Sequence, residues 1–426
     1  MSNITIPLLG ICDTAISGHL GSELFLSAIA VGSVMLNVVF WIFGFLRGGT
    51  TGLTANALGA NSDREISKVF YRGLTIAGVA GLLIILFREP IFGALWKIAG
   101  SEDSIKEYVK EYFFIRVSGS PALLAIIVIS GWFVGMQTTF YPMLIAIVTN
   151  IINILASYLL VFHFGYGFRG VALGTLFSNW FGLFVACLCV LWFLKGKVMK
   201  CSLQNLLKGE WLKYFAVNGN LFLRSLCIIC VTMGVTAAGA RLGNLALAVN
   251  VIVMQFFLFF SFFIDGFAYS GEAIVGLRAG EGDFEKLQKA VKRLVIWTVA
   301  TSLIFSIVYL SGLEGITALL TDSENVREGV KVLTLWITLI PVVSCWSFIY
   351  DGFYIGITDT YRMMISTLAG GIVFFAITGF IFFGTELPET SNHIIWIGFL
   401  SYLLVRGIYL VILWRPVLNR KRLALN

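Results

Sequence analysis

Gly131-Trp-Phe-Val-Gly135-Met-Gln-Thr-Thr-Phe-Tyr-Pro-Met143 and Gly352-Phe-Tyr-Ile-Gly356-Ile-Thr-Asp-Thr-Tyr-Arg-Met-Met364 lie 221 residues apart and read as two copies of one segment. A second echo has nearly the same offset. His19-Leu20-Gly21 answers Arg241-Leu242-Gly243, an apolar stretch follows each, and each then reaches a Gly-rich polar end with Asp and Glu two residues apart, Asp63/Glu65 and Asp283/Glu285. Two independent matches at one period in a chain of 426 residues mean that one half duplicates the other.

Composition decides the medium in which the copies fold. Hydrophobic residues make up 58% of the chain, charged residues 12%, and the mean hydropathy is +0.91. That leaves too little polar surface to cover a water-soluble globule of this size and places the chain in a bilayer. Residues 117–168 run for 52 positions without Asp, Glu, Lys or Arg, and 170–194, 242–264 and 363–385 run for 23 to 25. A span takes about 20 residues, so the long run holds two helices and each of the others one. The fold class is therefore an all-α integral membrane protein of about twelve spans, in two six-helix bundles. Helices are expected at 1–18, 24–57, 67–88, 105–136, 139–162, 169–195, 210–239, 244–277, 284–311, 325–357, 360–384 and 391–415. Residues 1–195 form the N-terminal lobe, 196–209 a polar cytoplasmic linker with Lys197, Lys200 and Lys208, and 210–426 the C-terminal lobe. The first helix is short, which is read as a start inside a longer natural helix, and no positively charged segment marks it as a signal peptide.

The formal charge of +7 would suit a nucleic-acid partner, so the placement of the charges decides. On the expected helices, 18 of the 30 Lys and Arg fall in loops and tails of one side and 8 on the other. This is the positive-inside bias; it explains the basic balance with no nucleic acid and puts both termini on the cytoplasmic side of the membrane. The cysteines sit mostly in apolar segments, and Cys227-Ile-Ile-Cys230 lacks the strand context of a redox motif. No metal or enzymatic role is expected. His-Glu-x-x-His, Gly-x-x-x-x-Gly-Lys and Gly-x-Ser-x-Gly are absent, so nothing indicates a zinc protease, an ATP-driven pump or an α/β-hydrolase, and active transport would draw on an ion gradient.

An ionisable side chain inside a bilayer is a functional candidate because it is costly there. The candidates are Asp13, Arg47 and Arg116 in the first half, and Arg224, Asp265, Glu272, Asp351, Asp359 and Arg406 in the second. Asp13 is suited to take up and release a proton, or else it hydrogen-bonds Thr14 or a neighbouring helix and never titrates. Pro7, six residues earlier, is a candidate bending point. For Asp351 and Asp265 the competing reading is a salt bridge with Arg224 or Arg406 that locks helices together. Arg47 and Arg116 could snorkel toward headgroups. Gly-x-x-x-Gly pairs, including Gly131/Gly135 and Gly352/Gly356, fit close helix packing. The run Phe256-Phe257-Leu-Phe259-Phe260-Ser-Phe262-Phe263 either faces lipid or lines a pocket for a lipophilic cation.

Pro7-Leu-Leu-Gly-Ile-Cys-Asp13-Thr-Ala-Ile-Ser-Gly-His-Leu-Gly21 resembles the first-helix signature of the multidrug and toxic compound extrusion (MATE) family. Leu46-Arg-Gly-Gly-Thr-Thr-Gly-Leu-Thr-Ala55, Leu221-Phe-Leu-Arg-Ser225, Phe263-Ile-Asp-Gly-Phe-Ala268 and Tyr350-Asp-Gly-Phe-Tyr-Ile-Gly356 look like its prokaryotic branch named for DNA-damage-inducible protein F. The resemblance implies two six-helix lobes around a central cavity, and export of lipophilic, often cationic, small molecules in exchange for protons or sodium, with no cofactor. Partners would be those substrates and membrane lipids, and the protein would act as a monomer.

Carried over residue by residue, Asp13 falls at the family's first-helix coupling carboxylate, Asn153 at a fifth-helix Asn and Thr175 at a sixth-helix Thr of the same polar cluster. Where the family commonly has a second Asp four residues after that Asn, this chain has Ser157, which weakens the case for sodium there. Asp351 resembles a tenth-helix Asp that other branches use for cation coupling. Asp265 and Glu272 match the branch pattern without an assigned role. A proton-coupled exporter is therefore expected, with sodium coupling as the lesser alternative. Rival functions are a lipid-linked saccharide flippase, which would need a strongly cationic cavity, and a non-transporting membrane scaffold.

Overall fold

The computed structural model describes residues 23–99, 103–195, 211–384 and 391–425. The first helix expected at 1–18, with Pro7, Asp13 and His19, and the linker at 196–209 lie outside the described residues. Contacts divide the chain into two compact units: described residues up to 58 and from 62 to 195 form the first, and 59–61 with those from 211 onward form the second.

Through the first unit run α1 (Glu23–Ile42), α2 (Phe45–Gly59), α3 (Asp63–Leu86), α4 (Arg88–Ala99), α5 (Lys106–Val117), α6 (Ser120–Gly135), α7 (Phe140–Tyr158) and α8 (Phe168–Phe193). The second holds α9 (Trp211–Arg241), α10 (Asn244–Glu281), α11 (Phe284–Leu320), α12 (Glu324–Val332), α13 (Thr334–Gly356), α14 (Thr360–Phe383) and α15 (Ser391–Leu425). Ten helical stretches among the described residues have the length and apolarity of a span, and α5 with α6 makes an eleventh, bent by 48°.

That bend corrects the continuous helix expected at 105–136. Pro121 has no N–H to offer the carbonyl four residues back, that of Val117. Ser120 Oγ takes the vacated place, donating to Val117 O at 2.6 Å. Pro121 was a readable signal of the bend, although no charge interrupts the apolar run around it. The helix expected at 24–57 is likewise divided, at Phe43-Gly44, where backbone bonds tighten to i→i−3. The one expected at 325–357 opens as a separate α12, and α4 had no counterpart among the expected helices; its Phe92 and Trp96 are buried in the first-unit core. The helices expected to end at 311 and 415 continue to Leu320 and Leu425.

The duplication is written in backbone detail. Gln137 and Thr358, 221 positions apart, both take the left-handed conformation, at φ 62° and 59°. Each ends its helix with the same six-residue closure, Thr138 N to Phe133 O at 3.0 Å and Asp359 N to Tyr354 O at 2.9 Å. A β-branched Thr in this region is strained. Asn61 and Gly282, also 221 apart, share positive φ, and the next residue in each, Ser62 or Asp283, caps the following helix through its side chain. The Lys286 side chain bonded to Asp283 holds that carboxyl below its usual range.

Packing repeats as well: α3 lies against α6 as α11 lies against α13, and α7 against α8 as α14 against α15. The Gly-x-x-x-Gly faces rest on bare backbone. A Cβ at Gly131 would come within 2.5 Å of Arg47 O on α2, and one at Gly352 within 2.3 Å of Ala268 O on α10. Large aromatic side chains fill both interiors, among them Trp132 and Phe133 in the first unit and Phe260, Tyr309 and Trp396 in the second. Outward faces carry exposed Trp192, Ile307 and Ile372, as suits a lipid solvent. The phenylalanine run on α10 splits by helical period. Phe256, Phe257 and Phe260 are buried in the core, whereas Phe259 and Phe263 are exposed. The buried set packs on Tyr309, Phe399 and Phe305.

Two substitutions test this account in detergent-solubilised protein. Gly352→Ala is expected to lower stability by about 1–3 kcal/mol through overpacking against Ala268. Thr358→Gly is expected to raise it by about 1 kcal/mol through relief of the left-handed strain. Thermal unfolding midpoints give both signs.

Candidate functional site

Each unit holds a cluster of buried polar side chains, and the two clusters differ in charge. In the first unit the scaffold is α7, a helix with its polarity turned inward. Ile151, Leu155 and Tyr158 are exposed, while Asn153 and Ser157 are buried. The four-residue spacing puts Asn153 and Ser157 on one face, which a bilayer drives into the helix interface. There it meets α8, whose Gly174 leaves room for Ser157: a Cβ at Gly174 would sit 2.3 Å from Ser157 Oγ.

Asn153 Nδ2 donates to Thr175 Oγ1 at 2.9 Å and to Ser178 Oγ at 3.3 Å. Those hydroxyls donate in turn to backbone, Thr175 to Val171 O at 3.1 Å and Ser178 to Thr175 O at 2.9 Å. With every proton directed that way, Asn153 Oδ1 and Ser157 Oγ are left as buried oxygens without a partner. The cluster can therefore accept hydrogen bonds but has no formal charge of its own. Asn153 and Thr175 meet as the sequence led one to expect, and Ser178 joins them. It escaped notice, although its three-residue spacing from Thr175 was a readable signal. Ser157 is not bonded to the other three.

The second unit's cluster is ionic. Asp351 Oδ2, on α13, accepts from Arg224 Nη2 of α9 at 2.5 Å and from Arg406 Nη2 of α15 at 2.6 Å. Arg406 Nη1 also donates to Tyr402 Oη at 3.0 Å, with its guanidinium 5.0 Å from that ring's centre. Asp351 reaches this position because neighbouring Gly352 lets α13 settle on α10. Both arginines use one carboxylate oxygen, so Asp351 Oδ1, Arg224 Nε and Arg406 Nε are buried without partners. Tyr402, one turn before Arg406, is the member of the cluster that the sequence reading missed.

The remaining candidates lie elsewhere. Glu272 is 1% exposed on α10, at the place where the repeat has Thr51, whose hydroxyl donates to Gly131 O at 3.0 Å. Asp265 is half-buried on α10, and the carboxylate within salt-bridge distance of Arg224 and Arg406 is that of Asp351. Asp359 caps α14 and pairs with Arg362. Arg116 is half-buried, and its Nη1 donates to Tyr112 Oη at 2.6 Å. Cys227 donates to Thr367 O at 3.3 Å and forms no disulfide. Among the described residues no group of three metal-ligating side chains comes together.

Apolar exteriors, many spans and polar clusters held inside each bundle define a multi-pass membrane protein of transporter type. The family model MatE matches the chain over residues 1–159 and 221–381, two segments that begin 220 positions apart, 221 minus 1. DNA damage-inducible protein F of Escherichia coli strain K12 is 34% identical over 415 residues, spanning 97% of this chain and 89% of its own. A transporter of the MOP superfamily from Pyrococcus furiosus has the same fold, with a TM-score of 0.85 at 18% identity over 99% of this chain and 94% of its own. A MATE protein solved in a bent conformation gives 0.86 at 17% identity, with the same two coverages of 99% and 94%. The chain belongs to the MATE family of multidrug and toxic compound transporters.

The two clusters are expected to respond oppositely to truncation. Asp351→Ala strands the buried guanidinium of Arg406 and the partly exposed one of Arg224 and is expected to cost about 3–5 kcal/mol. Ser157→Ala removes a hydroxyl that has no partner and is expected to stay within about 0.5 kcal/mol of the parent. Unfolding in detergent, followed by intrinsic tryptophan fluorescence, measures both.

Proposed function

We propose that this protein is a secondary active exporter that exchanges lipophilic, often cationic, small molecules for protons by alternating access. The observation that carries the reading is the double engagement of Asp351. A hard cation takes several oxygen ligands, and here the second-lobe carboxylate offers its Oδ2 to two guanidinium groups whose charge repels a further cation. In the first lobe the oxygens of Asn153, Ser157, Thr175 and Ser178 are neutral, with Ser157 standing where relatives commonly carry an acid. A proton needs only one carboxylate, and Asp13 is the one the sequence supplies on the first helix.

In the outward-open state an external proton neutralises Asp13, the first helix bends near Pro7, and a cationic substrate loses its counter-charge and leaves. Deprotonation from the cytoplasmic side restores the site. Asn153, Thr175 and Ser178 serve as neutral hydrogen-bonding groups of the same lobe, and the ion pairs of Asp351 hold the second lobe together.

Proteoliposomes loaded with a fluorescent lipophilic cation separate the driving forces. A pH gradient imposed without sodium is expected to drive transport, and a sodium gradient at constant pH is not. Asp13→Asn is expected to insert normally and to lose the pH-driven flux; retention of wild-type flux across several substrates would remove Asp13 from the mechanism.

A further inference from the structure

We propose that the Arg224–Asp351–Arg406 cluster is a binding site for a monoanion, specifically a small organic carboxylate. Within the cluster two guanidinium groups share one carboxylate, so the three side chains together carry one positive charge. Among the described residues neither arginine has a second acidic partner within salt-bridge distance. Arginine does not shed its proton in proteins, so titration cannot relieve the excess. A bound anion can.

Geometry indicates where it enters and what shape it has. The Arg406 and Asp351 side chains are 5% and 6% exposed, but that of Arg224 is 19% exposed, so the open side of the cluster is Arg224. Arg224 makes a single hydrogen bond, through Nη2. Its planar fork therefore retains donors that Asp351, engaged end-on, does not use, and such a fork matches the two oxygens of a carboxylate. One excess charge suits a monoanion, whereas a dianionic phosphate would overcompensate it. The site is independent of proton coupling, since it involves neither Asp13 nor the first unit.

The test uses the full-length protein in detergent, in a buffer whose only other anion is a bulky sulfonate. Acetate, benzoate and chloride are titrated separately, with binding followed by calorimetry and by the thermal unfolding midpoint. Saturable stabilisation by acetate or benzoate is expected. Arg224→Gln, which removes the excess charge, is expected to weaken binding at least about tenfold. Asp351→Asn, which enlarges the excess, is expected to start less stable and to bind at least about tenfold more tightly. If Asp351→Asn cannot be purified, Arg224→Gln on the open side still decides. Absence of anion-dependent stabilisation in the parent, or an unchanged response in Arg224→Gln, overturns the site. Saturable binding of chloride alone overturns the carboxylate assignment. Because binding is read without any gradient, the outcome is independent of whether a pH gradient drives efflux.

Discussion

Hydrocarbon offers no hydrogen bonds, and this constraint shapes every irregularity in the chain. A backbone that must satisfy itself forms helices, and it can break a helix only where something local takes over the freed group. At Pro121 the substitute is the Ser120 hydroxyl, which occupies Val117 O and makes the bend between α5 and α6 tolerable. At Gln137 and Thr358 it is the six-residue closure that retires the last carbonyls of α6 and α13. Polar side chains obey the same constraint. Asn153 and Ser157 turn inward because the outward face of α7 has only lipid to meet.

The two units share a backbone plan but have diverged in their electrostatics. Gly131 and Gly352 bring equivalent helices into equally close approach, yet the residue that follows the close contact differs, Thr51 in one unit and Glu272 in the other. The first unit's described cluster is neutral, held by amide and hydroxyl groups. The second unit's is ionic and unbalanced, with one carboxylate between two arginines. Duplication thus supplied two copies of a scaffold, and charge substitution on the inner faces made them chemically distinct.

The ionic cluster also limits how one motif can be carried between relatives. An Asp on this helix is available for a cation only if its oxygens are free to coordinate one. In this chain Arg224 and Arg406 converge on the same oxygen, so the carboxylate acts first as a brace between α9, α13 and α15. A buried pair of this kind is weak evidence for stability in itself, because desolvation offsets much of the attraction. Its stronger consequence is that the three side chains together carry a net positive charge.

Much of this was legible in the order of residues. The repeat at 221, the hydropathy and the one-sided placement of Lys and Arg determined an all-helical, duplicated membrane protein, because lipid solvation acts on composition and spacing alone. Asn153 and Thr175 could be paired in advance by resemblance, and Asp351 could be connected to Arg224 or Arg406 by the rule that buried charges seek partners. What the sequence could not determine was that both arginines share Oδ2 or that Tyr402 completes their cluster. Those outcomes depend on which helices touch and at what height. The packing of α13 on α15 and of α7 on α8 brings Arg406 to Asp351 and Thr175 to Asn153.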